Sequence, residues 1–221
     1  MRLFNGLADA LPGGSARRPV LMLALGAFAL GTDAFVISGV LPKIASDLGV
    51  TLPQAGLLIT VFSGVYAFAA PVMAVATGTA SRRKILMVSL ACFTAANVLA
   101  AMAASFAMMI VARAAAALVA GLYMPAASAT AASVAPESER GRALAAVLSG
   151  LTVATALGVP LGTLIGQGLN WRYTFLFVAA LSTVAWTALA RALPPVPPAP
   201  SSRSANGWLP SRFPVLRARS R

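Results

Sequence analysis

The sequence predicts an all-α membrane protein with six transmembrane helices, on three observations. Hydrophobic residues fill 59% of the 221 positions and charged residues 10%, against about half and about a quarter in an ordinary soluble domain. The charges are clustered and leave long uncharged runs at 48–81, 85–112, 114–136, 143–171 and 173–190. These runs are continuously apolar, without the alternation typical of β-barrel strands. Each is long enough to cross a bilayer as a helix, which takes about 20 apolar residues.

A sixth span precedes these runs. It extends from Pro19 to about Leu41 and is interrupted only by Asp33. Arg17 and Arg18 precede it as they would a signal peptide, but the apolar stretch is longer than a signal-peptide core and no convincing cleavage site follows, so we expect it to stay as an anchor. The predicted spans are 19–42, 54–78, 85–104, 106–130, 143–167 and 173–192.

The positive charges predict the orientation of these spans. Fourteen of the 17 Lys and Arg residues lie at the two termini or in the loops after spans two and four. The positive-inside rule therefore places both termini in the cytoplasm. We expect residues 1–18 to form a cytoplasmic segment, residues 19–192 the membrane domain, and residues 193–221, rich in proline and arginine, a disordered cytoplasmic tail.

The composition argues against an enzyme. The chain has no histidine, one cysteine (Cys92) and five acidic residues, which is too little for a metal site, a Ser-His-Asp triad or a Cys-His pair. The net charge of +12 is explained by topology, because a nucleic-acid-binding patch needs an exposed folded surface. The sequence thus predicts no catalysis, no cofactor, no metal and no nucleic-acid partner; the surroundings it predicts are the lipid bilayer.

Two charged residues lie within predicted spans and are candidates for function, because an intramembrane charge costs roughly 2.5–3.5 kcal/mol on insertion. Asp33 is about 21 Å from the cytoplasmic start of span one and Arg113 about 20 Å from the cytoplasmic face, so they share a depth. One interpretation is structural, with Arg113 snorkelling and Asp33 facing water. The other places one or both in a water-accessible cavity that couples protonation to substrate movement. A direct ion pair between them is a further hypothesis.

Span five has four glycines on one helical face, Gly150, Gly158, Gly162 and Gly166, with Pro160 among them. Glycines at four-residue steps let two helices approach closely, and proline disturbs the hydrogen-bond ladder of its own helix. Two interpretations stay open, small-residue packing and a role in gating.

Three motifs together carry a family resemblance. They are residues 31–42 of span one, which include Asp33, the stretch from Arg113 to Gly121 in span four, and Gly150, Gly158, Pro160 and Gly162 in span five. The loop after span two, with Gly78, Arg82 and Arg83, adds a basic run with no acid before it in the uncharged stretch 48–81. In this order the motifs resemble the N-terminal six-helix half of a major facilitator superfamily transporter, in the drug:proton antiporter branch of sugar and chloramphenicol efflux.

The resemblance implies proton-coupled efflux of drug-like or sugar-like small molecules across the bacterial plasma (inner) membrane. It implies proton-coupling or substrate roles for Asp33 and Arg113, a conformational or packing role for the span-five motif, and a cytoplasmic loop motif at Gly78, Arg82 and Arg83. Family members have two such halves, so we expect a truncated half that needs a second half or a homodimer. The tail is interpreted as the result of a frameshift or premature stop. The alternative is an inactive remnant or a non-transporting membrane interaction subunit.

Overall fold

A computed structural model describes residues 12–76 and 81–192, which form a bundle of six long helices. The helices are α1 (Arg17–Asp47), α2 (Leu52–Ala76), α3 (Arg82–Ala101), α4 (Phe106–Val134), α5 (residues 140–168) and α6 (Trp171–Ala192). All six are long and apolar enough to cross a membrane. The described residues contain no strand, so the predicted fold class is confirmed. The predicted tail at 193–221 lies outside the described residues.

α5 is built from three consecutive pieces. They are α-helical Arg140–Val153, a π-helical turn at Ala154–Gly158 and α-helical Val159–Gly168. Two short 3-10 helices, Gly14–Ala16 and Glu137–Glu139, precede α1 and α5. Only α5 among the six described helices is interrupted in this way, and the interruption lies near its middle.

Local capping chemistry explains where α1 ends and α2 begins. α1 continues through Pro42, the predicted end of span one, and stops just before Gly49, whose φ of 65° is the left-handed conformation that glycine adopts after helix C-termini. Thr51 and Gln54 form the reciprocal capping box typical of their spacing: the Thr51 N–H donates to Gln54 Oε1 at 2.9 Å, and the Gln54 N–H donates to Thr51 Oγ1 at 3.4 Å.

The contacts between helices have a symmetric pattern, in which α1, α2 and α3 correspond to α4, α5 and α6. α1 packs against α5 and α6, α4 packs against α2 and α3, and α3 packs against α6 to join the two groups. Exchanging the two sets of three leaves this scheme unchanged, as expected of a fold built from an inverted repeat. Burial differs between positions: 61% of the most apolar part of α1 is buried, against 17% in α2 and 28% in α5. α1 therefore lies in the core, while α2 and α5 expose apolar faces.

The basic run before α3 binds the ends of two other helices. Arg82 Nη1 donates to the Ala129 carbonyl oxygen of α4 at 2.8 Å, and Arg83 Nη2 donates to the Ala190 carbonyl oxygen in the last turn of α6 at 3.1 Å. These two hydrogen bonds attach the start of α3 to the C-terminal parts of α4 and α6. Gly78 of the same predicted motif lies outside the described residues.

Candidate functional site

The two intramembrane charges form a direct ion pair that joins α1 to α4. Arg113 Nη1 donates to Asp33 Oδ2 at 2.8 Å, and the two side chains are 1% and 0% exposed. The pair that shared depth suggested is thus present in the structure. A charge in apolar surroundings is stable only when it is paired, so the interaction holds the centres of α1 and α4 together.

This ion pair uses few of the hydrogen bonds available to it. Asp33 Oδ1 and Arg113 Nε and Nη2 are buried and have no hydrogen-bond partner among the described residues. A guanidinium has five N–H donors, and arginine often binds a carboxylate through two parallel bonds. Here a single hydrogen bond joins the two side chains, so their attraction comes mainly from their opposite charges.

An aromatic ring of α2 covers the arginine. Arg113 Cζ lies 4.2 Å from the ring centroid of Phe62, within cation–π range. Phe62 is itself buried and stacks on Tyr66, with ring centroids 6.4 Å apart and ring planes 3° from parallel. Nothing in the residue pattern singles out Phe62 as a candidate for function. Its position over Arg113 results from the packing of α2 against α4.

An apolar cleft of about 350 Å³ lies beside the pair, between α1, α2 and α4, with α5 at its edge. Phe62 lines this cleft and also contacts the guanidinium of Arg113, while Arg113 and Asp33 do not line it. The polar groups in its wall are the hydroxyls of Ser38, Ser63 and Tyr66. The volume lies within the range of small-molecule sites, about 300–1,000 Å³.

The glycine face of α5 packs directly against α1. A Cβ placed on Gly158 would collide with Thr32, the residue before the buried acid, and one on Gly162 would lie 2.7 Å from Val36 Cγ2. Gly150 makes the same close approach to the backbone of α1 nearer its N-terminus. Close packing, one of the two interpretations of this motif, is therefore what the structure contains, and it brings α5 next to the ion pair.

Pro160 follows the π-helical turn of α5. It is the second residue of the helical piece that starts at Val159, and it has no N–H to donate to the preceding turn. A π-helical turn is a known cause of helix bends and is frequent at functional sites. Because Gly158 ends this turn and contacts Thr32, the irregular part of α5 lies at the depth of the ion pair.

A second, uncharged link joins α1 to α4. The Tyr123 hydroxyl donates to the Leu23 carbonyl oxygen at 2.9 Å, and the tyrosine is fully buried. Gly26 provides the space for the ring, since a Cβ there would collide with the Tyr123 side chain. The link lies ten residues from the ion pair on both helices, or about 15 Å. Sequence reasoning missed it, because a single Tyr in an apolar run has no distinguishing pattern.

A second carboxylate–guanidinium pair lies at the C-terminal end of α1. Asp47 Oδ2 accepts hydrogen bonds from Arg172 Nη1 and from Trp171 Nε1, the latter at 3.0 Å. Arg172 Nη2 also donates to the Ala103 carbonyl oxygen at 3.0 Å, and its guanidinium lies 4.3 Å from the centroid of Trp171. We refer to Asp47, Arg172, Trp171 and Ala103 as the terminal cluster. It joins α1 and α6 to the loop between α3 and α4, at the end of the bundle opposite Arg82.

Within residues 12–76 and 81–192, no three His, Cys, Asp or Glu side chains come together in a way that could hold a metal ion.

Comparison with known proteins gives consistent matches. A family model described as Major Facilitator Superfamily matches residues 23–220. The chloramphenicol resistance protein of Streptomyces lividans is 40% identical over 176 residues, and the inner membrane transport protein YdhP of Escherichia coli (strain K12) is 36% identical over 176 residues. Each of these alignments covers 80% of this chain and 45% of the relative, so the chain spans less than half the length of the proteins it matches.

A solved structure shares the fold. It is the crystal structure of a bacterial homologue of the human lysosomal transporter Spinster, in an inward-facing and unoccupied conformation. It superposes with a TM-score of 0.73 at 19% sequence identity, over 85% of this chain and 45% of that chain.

Proposed function

The chain belongs to the major facilitator superfamily, and on that premise we propose that it acts as the N-terminal six-helix half of a proton-coupled exporter of drug-like or sugar-like small molecules. Family membership makes it a multi-pass membrane transport protein and not an enzyme. Export is supported by the chloramphenicol resistance relative, and the bacterial inner membrane by the transport protein of Escherichia coli. The positive-inside rule supports cytoplasmic termini.

The observation that carries proton coupling is the buried pair of Asp33 and Arg113. While Asp33 is ionised, the pair is neutral overall and holds α1 to α4 by one hydrogen bond of 2.8 Å. A proton on Asp33 removes the negative charge and leaves Arg113 uncompensated in apolar surroundings, which raises the free energy of this arrangement. α1 then moves relative to α4, and loss of the proton restores the contact.

Coupling to the substrate follows from the position of the cleft. Phe62 contacts Arg113 and also lines the cleft, so a change in the ion pair alters the wall of the cleft. The glycine face of α5 transmits the movement of α1, because Gly158 contacts Thr32 beside Asp33. These contacts link the protonation site, the cleft and the π-helical turn within one continuous group of side chains.

Transport in this scheme needs a second six-helix bundle. In transporters built from two parallel halves, the substrate site lies between the halves near the middle of the membrane. The poorly buried helices α2 and α5 supply apolar faces on which a second bundle packs. That bundle is the remaining length of a longer protein, a separate polypeptide or a second copy of this chain.

The test is substrate-driven proton release from inside-out membrane vesicles. Vesicles from bacteria expressing the chain, alone or fused to the C-terminal half of YdhP, are energised, and a dye that reports the pH gradient is followed when chloramphenicol is added. We expect a dye response that is lost in Asp33→Asn and in Arg113→Ala. Asp47→Asn, which changes an acid on the same helix outside the core, is the matched control and keeps the response.

Each outcome distinguishes the alternatives. A response in the fusion but not in the chain alone supports the half-transporter. A response that persists in Asp33→Asn contradicts proton coupling through this pair. No response in either form, with both proteins correctly inserted, supports a non-transporting subunit or an inactive remnant.

A further inference from the structure

We propose that the cleft between α1, α2 and α4 accepts an uncharged molecule with a flat apolar ring and a hydroxyl or amide group, and that it selects against cations. The inference deepens the proposed function and rests on it, since it names the substrate class of the same site. Three features of the cleft lead to it: the absence of charge in its wall, the occupied face of Phe62, and the placement of its hydroxyl groups.

The wall of the cleft offers a cation no counter-charge. None of the described residues that line it is charged. The nearest acid, Asp33, is fully buried and already paired with Arg113 at 2.8 Å. Moving a cation from water into such a site costs desolvation free energy, and no group in the wall offsets that cost. An uncharged ring loses little on transfer and gains from burial of its apolar surface.

Cation–π attraction, the usual means by which aromatic walls hold cations, is already used at Phe62. The Arg113 guanidinium lies 4.2 Å from the centroid of this ring. A ligand cation brought against the same ring would be repelled by that guanidinium, the more so in a medium of low dielectric constant. Tyr66, whose ring plane lies 3° from parallel to that of Phe62, is a second ring in the wall of the cleft, and aromatic rings favour offset stacking with a ligand ring.

The hydroxyl groups define the polar part of the ligand. The Ser38 hydroxyl donates to the Phe35 carbonyl oxygen at 2.6 Å, so towards a ligand its oxygen acts as an acceptor. Ser63 and Tyr66 place two further hydroxyls in the same wall, and a hydroxyl both donates and accepts. A ligand O–H or amide group satisfies this set, and a fully apolar molecule such as an acyl chain leaves it without partners.

The experiment compares probes that share one ring and differ in charge or hydrogen bonding. The chain is placed in phosphatidylcholine nanodiscs, and binding is measured by equilibrium dialysis, with empty nanodiscs subtracted. The probes are naphthylethanol, its trimethylammonium analogue and ethylnaphthalene. We expect saturable binding of naphthylethanol, about tenfold weaker binding of the cation, and binding of ethylnaphthalene weakened about fivefold by loss of the hydroxyl.

Variants of α2 connect the binding to this cleft. Tyr66→Ala is expected to weaken naphthylethanol binding about tenfold through loss of the stacking surface. Tyr66→Leu, which preserves bulk, is the second variant if Tyr66→Ala does not assemble. Phe68→Ala is the matched control: Phe68 lies on the same helix, is 79% exposed and does not line this cleft, so its loss leaves the affinity unchanged.

Three results overturn the inference: the cation binds as tightly as the alcohol, no saturable binding exceeds that of empty nanodiscs, or ethylnaphthalene binds as tightly as the alcohol. Tyr66 variants indistinguishable from Phe68→Ala overturn it as well, because the probe then occupies the lipid-facing surface. The measurement needs no proton gradient. Selective binding without proton release in vesicles therefore contradicts the proposed function alone, and proton release driven by a cation but not by the neutral probe contradicts this inference alone.

Discussion

The ion pair of Asp33 with Arg113 and that of Asp47 with Arg172 have the same chemistry in opposite surroundings. Both attach α1 to another helix. The first pair is 0% and 1% exposed, and several of its polar atoms are unpaired among the described residues. The second is 45% and 33% exposed, and its members also bind Trp171 and the Ala103 carbonyl oxygen.

The difference shows that the number of hydrogen bonds a pair makes does not measure how strongly the loss of one charge destabilises the bundle. Solvent screens the charges of the terminal cluster, so the loss of one contact there leaves the others in place and the charges hydrated. In the buried pair each charge has only the other as its counter-charge, and removing one leaves the other in an apolar medium. The weakly bonded pair is therefore the one on which a single proton has a large effect.

The largest expected effect comes from neutralising one member of the buried pair. Asp33→Asn should lower the free energy of unfolding by about 3–5 kcal/mol, because Arg113 stays charged and uncompensated. Asp33→Asn combined with Arg113→Gln should recover part of the loss. Unfolding in detergent micelles, followed by tryptophan fluorescence, measures both. A double variant no more stable than the worse single variant contradicts this account of the pair.

A smaller loss of stability is expected when a substitution in α5 pushes against α1. Gly158→Ala should destabilise the bundle by about 1–3 kcal/mol, because the new Cβ presses on Thr32 beside the buried acid. Gly56→Ala is the matched control, since a Cβ at Gly56 would meet no atom of another helix within 4 Å.

The same unfolding assay checks this comparison, and Thr32→Ala should partly restore stability to Gly158→Ala. Equal stability of the two glycine variants would show that α5 does not press on α1 at this point.

The smallest effect is expected in the terminal cluster. Asp47→Asn should lower the free energy of unfolding by about 1 kcal/mol or less, because the pair is partly hydrated and the asparagine oxygen still accepts the Trp171 N–H. Raising the salt concentration to about 1 M should reduce this difference and leave that of Asp33→Asn almost unchanged, since salt screens exposed charges far more than buried ones. Equal salt dependence of the two variants would remove the distinction between the pairs.

Part of the candidate site could be predicted from residue types and spacing. A charge in an apolar run is conspicuous, and a rise of 1.5 Å per residue places Asp33 and Arg113 at one depth. Four-residue steps put the glycines of α5 on one face. The partner of that face was not predictable, because any of five other helices could have met it; the contact with Thr32 and Val36 came from the packing of α1.

Phe62, Tyr123 and the terminal cluster could not be predicted in this way. Phe62 and Tyr123 are aromatic residues among many apolar ones, and what distinguishes them is a neighbour from a distant part of the chain. Asp47 and Arg172 both lie outside the predicted spans, with 124 positions between them. Their pairing could not be predicted, because it depends on α1 lying beside α6.

By itself the sequence determined the fold class, the six spans and the depth of each intramembrane charge. These properties follow from hydropathy, span length and helical rise, which act along one segment at a time. The tertiary structure decided which helices meet and which side chains contact the two charges. Those contacts depend on the rotation of every helix about its own axis, and that rotation is set by the simultaneous packing of all six.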